Sequence, residues 1–208
     1  MSLGHGASIV RDGLVLHLDA ANVKSYPGSG TTWYDLSGNE NNFTLDSSGI
    51  VHNSSEGTFT LSDEGGAIYT STLTTAASAT VVFWMKSNDQ QALFLSGDAG
   101  SGGNYYLGAY RVGNKEYYDG LGGDTPSFKL DLLDTPNIYD YFPDGQWHMV
   151  EFKSVNFSAD PWAYFKINTY GAYDFNATEL SCVMIYNKEL STEESTQNFE
   201  AMRGRYGI

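Results

Sequence analysis

The groups that could do chemistry in these 208 residues are 25 Asp and Glu, four His and one Cys, and their spacing decides which reactions are open. Retaining glycosidases work with two carboxylates about 5 Å apart, one acid and one nucleophile. Along a strand that asks for a pattern such as Glu-x-Asp-x-Glu, because alternate residues share a face. No such triplet occurs; Ser62-Asp-Glu64 and Asp131-Leu-Leu-Asp134 lack the alternation and read as loop acids. His5, His17, His52 and His148 are scattered, without the His-x-x-x-His spacing of a catalytic metal site. There is no Gly-x-Ser-x-Gly elbow, and Gly97-Asp-Ala-Gly-Ser-Gly-Gly103 lacks the Lys of a phosphate loop. The expectation is a chain with no catalytic residues, not an enzyme.

Two kinds of binding site are open instead. Calcium takes hard oxygen ligands from Asp, Asn and main-chain carbonyls. Asp19, Asp35, Asn39 and Asn41 border one long loop and could converge on such an ion, the one cofactor these residues allow. The plainer reading has Asp35 and Asn39 forming Asx turns around Gly38. Saccharides stack on exposed rings and bond to Asn and Asp, and the chain holds 15 Tyr. Tyr105, Tyr106, Tyr110, Tyr117 and Tyr118 are the ligand-binding candidates, with Tyr139 and Tyr141 beside them. Tyr at this density is equally expected where proteins meet. Cys182 stands alone in Leu180-Ser-Cys-Val-Met-Ile-Tyr186 and reads as a small buried thiol. A single Cys excludes an internal disulfide and a Cys-based zinc site.

Eleven Lys and Arg leave a net charge of −14, which argues against nucleic acid and anionic lipid, both held through cations. No apolar run approaches the roughly 20 residues of a membrane helix. Met1 to Gly6 has no basic stretch leading into an apolar one, so no signal peptide is expected. Asn-x-Ser/Thr sequons stand at Asn42, Asn53, Asn156 and Asn176, and without an export signal they reflect composition.

The elements that must position these residues are mostly short strands. Leu14 to Asp19 alternates as a strand with one buried face. A long loop, Ala20 to Asn42, follows and is packed down by Trp33, Tyr34 and Leu36. Strands are then expected at 43–45, 58–61, 67–69, 79–86, 92–95, 105–112, 146–153, 162–167 and 180–186. The run Ala79-Thr-Val-Val-Phe-Trp-Met-Lys86 is apolar enough to be a central strand covered on both faces. Ser191-Thr-Glu-Glu194 is a capping box that opens a helix over about 192–203, with Gly204 as its stop. This pattern predicts an all-β fold, a β-sandwich or jelly roll, with one short C-terminal helix. Residues 1–8 read as a flexible arm and 9–208 as one domain.

Several segments together resemble the laminin G-like branch of the concanavalin A-like lectin/glucanase superfamily. They are Asp12-Gly-Leu-Val-Leu-His-Leu-Asp-Ala-Ala-Asn22, the loop from Ser25 to Asn39, the Ala79–Lys86 strand, Asp144-Gly-Gln-Trp-His-Met-Val150 and Val183 to Glu194. Lys188 stands where that family's last motif has Arg. The terminal Asn198-Phe-Glu-Ala-Met-Arg-Gly-Arg-Tyr-Gly-Ile208, with the opening segment, is similar to bacteriophage virion proteins of marine and cyanobacterial phages. The resemblance implies a two-sheet antiparallel jelly-roll β-sandwich, concanavalin A-like, with carbohydrate or protein ligands at loops or on its concave face, and it permits calcium. It places Trp147 in the inter-sheet core, with His148 on the opposite face. The functional expectation is a non-enzymatic virion structural protein (decoration, fibre or tail) acting through contacts with other virion proteins. It would be made in the host cytoplasm, found in the particle, and open to self-association through edge strands. The alternative is a carbohydrate-binding module for host surface glycans.

Overall fold

The computed structural model of the protein describes residues 7–46, 49–61, 67–69, 73, 76–88, 91–98, 104–110, 115–119, 126–134, 144–158, 165–167 and 178–208. Among them the first strands are β1 (Leu14–Asp19), β2 (Thr32–Trp33), β3 (Phe43–Leu45), β4 (Ile50–Asn53) and β5 (Thr58–Leu61). Next come β6 (Ala67–Tyr69), β7 (Ala79–Lys86), β8 (Gln91–Asp98), β9 (Asn104–Tyr110) and β10 (Lys115–Asp119). The last are β11 (Ser127–Leu130), β12 (Leu133–Asp134), β13 (Trp147–Val155), β14 (Phe165–Ile167) and β15 (Thr178–Tyr186), followed by helix α1 (Thr192–Tyr206).

The strands form two antiparallel sheets, the sandwich expected from the sequence. The first runs β12-β11-β13-β7-β15-β5-β4, with β1 also paired to β15. The second runs β10-β9-β8-β14-β6-β3-β2. Between them lies the main core, where Val81, Phe83, Val150, Phe152, Val183 and Ile185 of the first sheet join Leu95, Leu107, Phe165 and Ile167 of the second. A second cluster covers the outer face of the first sheet: Val82, Trp84, Met149, Cys182, Met184 and Tyr186 pack with Met202 of α1 and the partly buried Phe199 and Tyr206. The run of apolar residues in β7 has its explanation here, since alternate residues serve the two clusters. Burying each large side chain in this way stabilises by about 2–3 kcal/mol.

Local signals set the helix start. Ser191 Oγ accepts from the Glu194 amide at 3.3 Å, and Glu194 Oε2 accepts from the Ser191 amide at 3.0 Å. The helix end differs from expectation: Gly204 lies inside α1, and Gly207 at φ 77° makes the left-handed cap. The reason is tertiary, because Tyr206 is held over Trp84 with ring centroids 4.4 Å apart.

The structure also corrects the reading of β1. All six of its residues are buried, where alternation predicts one wet face. Arg205 in the C-terminal turn of α1 reaches Asp19 on that face, and His17 beside it is buried as well. Of the expected arm, residues 1–6 lie outside the described residues; the Ser8 carbonyl accepts from Gln197 Nε2 of α1 at 2.7 Å. No helix among the described residues is long and apolar enough to cross a membrane.

Candidate functional site

The long loop between β1 and β3 is built by its own short polar side chains. Asp35 Oδ1 accepts from the His17 amide of β1 at 2.9 Å and from the Ser37 amide at 2.8 Å. Its Oδ2 accepts from Ser37 Oγ at 2.6 Å and from the Asn41 amide at 3.1 Å. Asn39 and Asn41 donate through Nδ2 to the Val15 carbonyl at 3.4 and 2.7 Å, and Asn39 also to Leu14 at 3.2 Å. These bonds strap the loop onto β1, which is what Asp and Asn do when they capture neighbouring main-chain groups.

Of the calcium candidates, Asp35, Asn39 and Asn41 are therefore gathered at one place, while Asp19 is held elsewhere. Arg205 of α1 grips Asp19 in a two-pronged pair, Nη1 to Oδ1 at 2.8 Å and Nη2 to Oδ2 at 3.1 Å. Among the described residues no group of three or more His, Cys, Asp and Glu is arranged to hold a metal.

Within the strapped loop two adjacent aromatics part ways. Trp33 is 1% exposed and packs edge-on against Phe59 at 4.9 Å, whereas Tyr34 is 44% exposed. The Tyr34 main chain is fixed on both sides: its amide donates to the Ser25 carbonyl at 2.8 Å, and its own carbonyl accepts from Ser25 Oγ at 2.6 Å. The next amide, Asp35, donates to Asn42 Oδ1 at 2.9 Å. An exposed ring on a rigid loop beside amide side chains is the arrangement that stacks on a sugar and bonds to its hydroxyls. Sequence reasoning assigns Tyr34 to packing. The signal that could have found it is its place directly after a buried Trp in a strand, which turns it to the opposite side.

The tyrosine candidates occupy another part of the molecule. Tyr105, Tyr106 and Tyr110 belong to β9, and Tyr117 and Tyr118 to β10, in register with Tyr117 opposite Gly108 and Tyr118 opposite Leu107. Their strands are placed, but their side chains are not among those described. Tyr139 and Tyr141 lie outside the described residues. Because β10 and β2 are at opposite edges of the second sheet, the fold does not bring these tyrosines to Tyr34.

Trp147 is not in the inter-sheet core. It shares the outer face of the first sheet with Met149, lies 4.8 Å from the Tyr206 ring, and carries Lys86 Nζ 5.6 Å above it. The helix supplies the apolar cover that the inter-sheet space would have given. His148, on the other face, sits between two carboxylates: Nδ1 is 2.6 Å from Asp131 Oδ2 and Nε2 is 3.1 Å from Asp144 Oδ1. Burial works against its charge, but the bonds and charges of Asp131 and then Asp144 outweigh it and raise its pKa. Asp131 and Leu132 turn this corner at φ 49° and 72°, left-handed values uncommon for either residue.

The first sheet carries further buried polar groups. His17 is 7% exposed with neither ring nitrogen hydrogen-bonded, and burial lowers its pKa. Glu151 accepts from Ser195 Oγ at 2.9 Å with Lys153 Nζ at 3.5 Å, and burial raises its pKa against those partners. Cys182 is a buried free thiol whose pKa burial raises. Asn198 ties α1 to Val10 and to the Tyr186 hydroxyl. These contacts anchor the helix to the sheet.

Together these features define a two-sheet antiparallel β-sandwich with one C-terminal helix. No family model matches the chain, and no curated protein does. Among solved structures it is similar to a Trypanosoma rangeli sialidase in complex with sialic acid, at 14% identity and TM-score 0.56, covering 100% of this chain and 36% of that one. A mutant of the same sialidase displaying trans-sialidase activity gives 16% identity and TM-score 0.59, covering 98% and 35%. The receptor binding domain of the botulinum neurotoxin C/D mosaic serotype gives 14% identity and TM-score 0.53, covering 93% and 52%. The chain thus spans about a third of the sialidases' length and half of the toxin domain's. These likenesses show the fold. They also correct the expectation that the chain is not an enzyme: the structures sharing its fold include enzymes, so the missing carboxylate triplet does not exclude catalysis.

Proposed function

We propose that this domain recognises glycans through the strapped loop, with the Tyr34 ring as the stacking platform. The observation that carries the reading is an exposed aromatic ring on a loop whose main chain is locked on both sides. A preorganised loop loses little conformational entropy on binding, and this favours weak ligands such as sugars. The likeness to a receptor binding domain and to a sialidase in complex with sialic acid makes saccharides the first ligands to try. The tyrosines expected from the sequence as ligand contacts, in β9 and β10, are tested by titration of Tyr117→Ala.

A glycan array followed by titration of any hit tests this. Tyr34→Ala should weaken binding about tenfold or more, the scale of one lost stacking contact. Unchanged affinity in Tyr34→Ala, or an array without hits, overturns the assignment. The virion role rests on the resemblance of the chain ends and gains nothing from these structural likenesses. Residues 198–206 of the phage-like terminus are already explained by packing, as the helix that covers Trp84. Fractionation tests that role, and absence of the protein from purified particles ends it.

A further inference from the structure

We propose that Arg205, in the last turn of α1, is a positioning residue for the Tyr34 ring, an inference that rests on the glycan-binding reading of the loop. The two meet through Asp19, the residue of β1 that the helix and the loop share. The Asp19 carboxylate takes the two-pronged grip of Arg205, and its Oδ1 also accepts from the Ala21 amide at 3.0 Å. The Asp19 carbonyl accepts from the Asn22 amide at 3.1 Å, and the Asn22 carbonyl accepts from the Ser25 amide at 2.8 Å. Asp19 thus builds the turn that delivers Ser25. A direct bond closes this turn, since the Asp19 amide donates to Ser25 Oγ at 3.1 Å.

Ser25 carries the connection on to the ring. It is fully buried, and its hydroxyl accepts from Asp19 while donating to the Tyr34 carbonyl at 2.6 Å. Its own carbonyl accepts from the Tyr34 amide at 2.8 Å. Arg205, Asp19, Ser25 and Tyr34 are therefore joined by an unbroken series of hydrogen bonds. What travels along it is the state of one buried charge. Without the guanidinium, the Asp19 carboxylate keeps only the Ala21 amide, and opening the turn to water is what then stabilises it. An open turn releases Ser25, and Tyr34 loses the main-chain bonds that aim its ring. If the loop is then competent for only about a tenth of the time, apparent affinity falls about tenfold.

The test measures two things on the full chain: titration with lactose and 3′-sialyllactose, and hydrogen exchange of the Tyr34 amide. Arg205→Met should weaken binding about threefold to tenfold and speed Tyr34 exchange by a similar factor. The Ser158 amide, held by Asn156 Oδ1 at 3.2 Å in the turn after β13, should keep its rate. Arg205→Lys, which keeps a positive charge beside Asp19, should restore most of the affinity. Combining Arg205→Met with Asp19→Asn should slow Tyr34 exchange again, because no charge is then stranded. A purely stabilising role for Arg205 would speed the Tyr34 and Ser158 amides together and leave the affinity of the folded protein unchanged, which overturns the inference. Tyr34 exchange and affinity equal to the parent in Arg205→Met overturn it too, and with Tyr34→Ala weakened they leave the glycan reading standing. No binding of either probe, with Tyr34→Ala indistinguishable from the parent, overturns both.

Discussion

Replacing Arg205 by Met should unlock the C-terminal helix from β1, and the structure gives the size of the effect. The Asp19 side chain is 5% exposed and the Arg205 side chain 38%, joined by two hydrogen bonds of 2.8 and 3.1 Å. Removing one partner of a fully buried pair costs about 3–5 kcal/mol, chiefly because a charge is stranded. Arg205 is more than a third exposed, so solvent already screens part of the interaction, and about 2–3 kcal/mol is the discounted expectation. That is a large share of the roughly 5–15 kcal/mol that holds a domain together. The loss should be asymmetric. Arg205→Met leaves the Asp19 carboxylate buried with only the Ala21 amide at 3.0 Å, whereas Asp19→Asn leaves a guanidinium free to reach water. Urea denaturation followed by Trp fluorescence suits the question, since Trp84 lies beneath the neighbouring Tyr206. Asp19→Asn should cost about 1 kcal/mol, and adding it to Arg205→Met should restore part of the stability. A cost below about 0.5 kcal/mol for Arg205→Met, or strict additivity in the double variant, would refute the stranded-charge argument.

Three further outcomes follow from the geometry. His148, raised by Asp131 and Asp144 against its burial, stabilises fully below its ordinary value of about 6.5 and loses that contribution as pH rises through its raised value. His17, lowered chiefly by burial, with Asp19 and Asp35 pulling it up and Arg11 and Arg205 pushing it down, has the opposite sign: its contribution is present above about 6.5 and is lost as pH falls. His148→Gln should therefore flatten the alkaline limb of stability against pH and His17→Leu the acid limb; limbs unchanged in urea titrations from pH 5 to 8.5 would reject the assignments. Gly57→Ala should cost about 2 kcal/mol or more, since φ is +67° and an added Cβ would meet the Ala21 Cβ at 2.4 Å. A melting temperature within a degree of the parent would show that the loop yields. Ser191→Ala should cost about 1 kcal/mol through loss of the capping box, measured by thermal unfolding; a neutral result would mean that the tertiary contacts of α1 set its start.

Much of the architecture is legible along the chain because its signals are short-range. The unbroken apolar stretch of β7, the alternation in β13 and the Ser191–Glu194 box each act within a few residues. Weakly patterned pieces escape that reading. The strands β2, β4, β10 and β12 have two to five residues and little alternation, β11 alternates over only four, and pairing with neighbours makes them strands. The helix shows why its covering role is hidden. Its buried residues are Ser195, Asn198 and Met202, and two of the three are polar. Only the sheet beneath supplies Glu151 and Tyr186 to satisfy them.

By itself the sequence determines the class of fold, the central strand, the helix start and the loop that carries the candidate site, since propensity, alternation and capping are properties of neighbouring residues. Tertiary structure decides everything that depends on which face is covered. The end of the helix reaches β1 and covers Asp19, whose partner arrives 186 residues later in the chain. It draws Trp147 to the outer face. In the loop, the packing of Trp33 against Phe59 leaves Tyr34 as the ring in water. Exposure depends on contacts between residues far apart in sequence, and no local pattern records them.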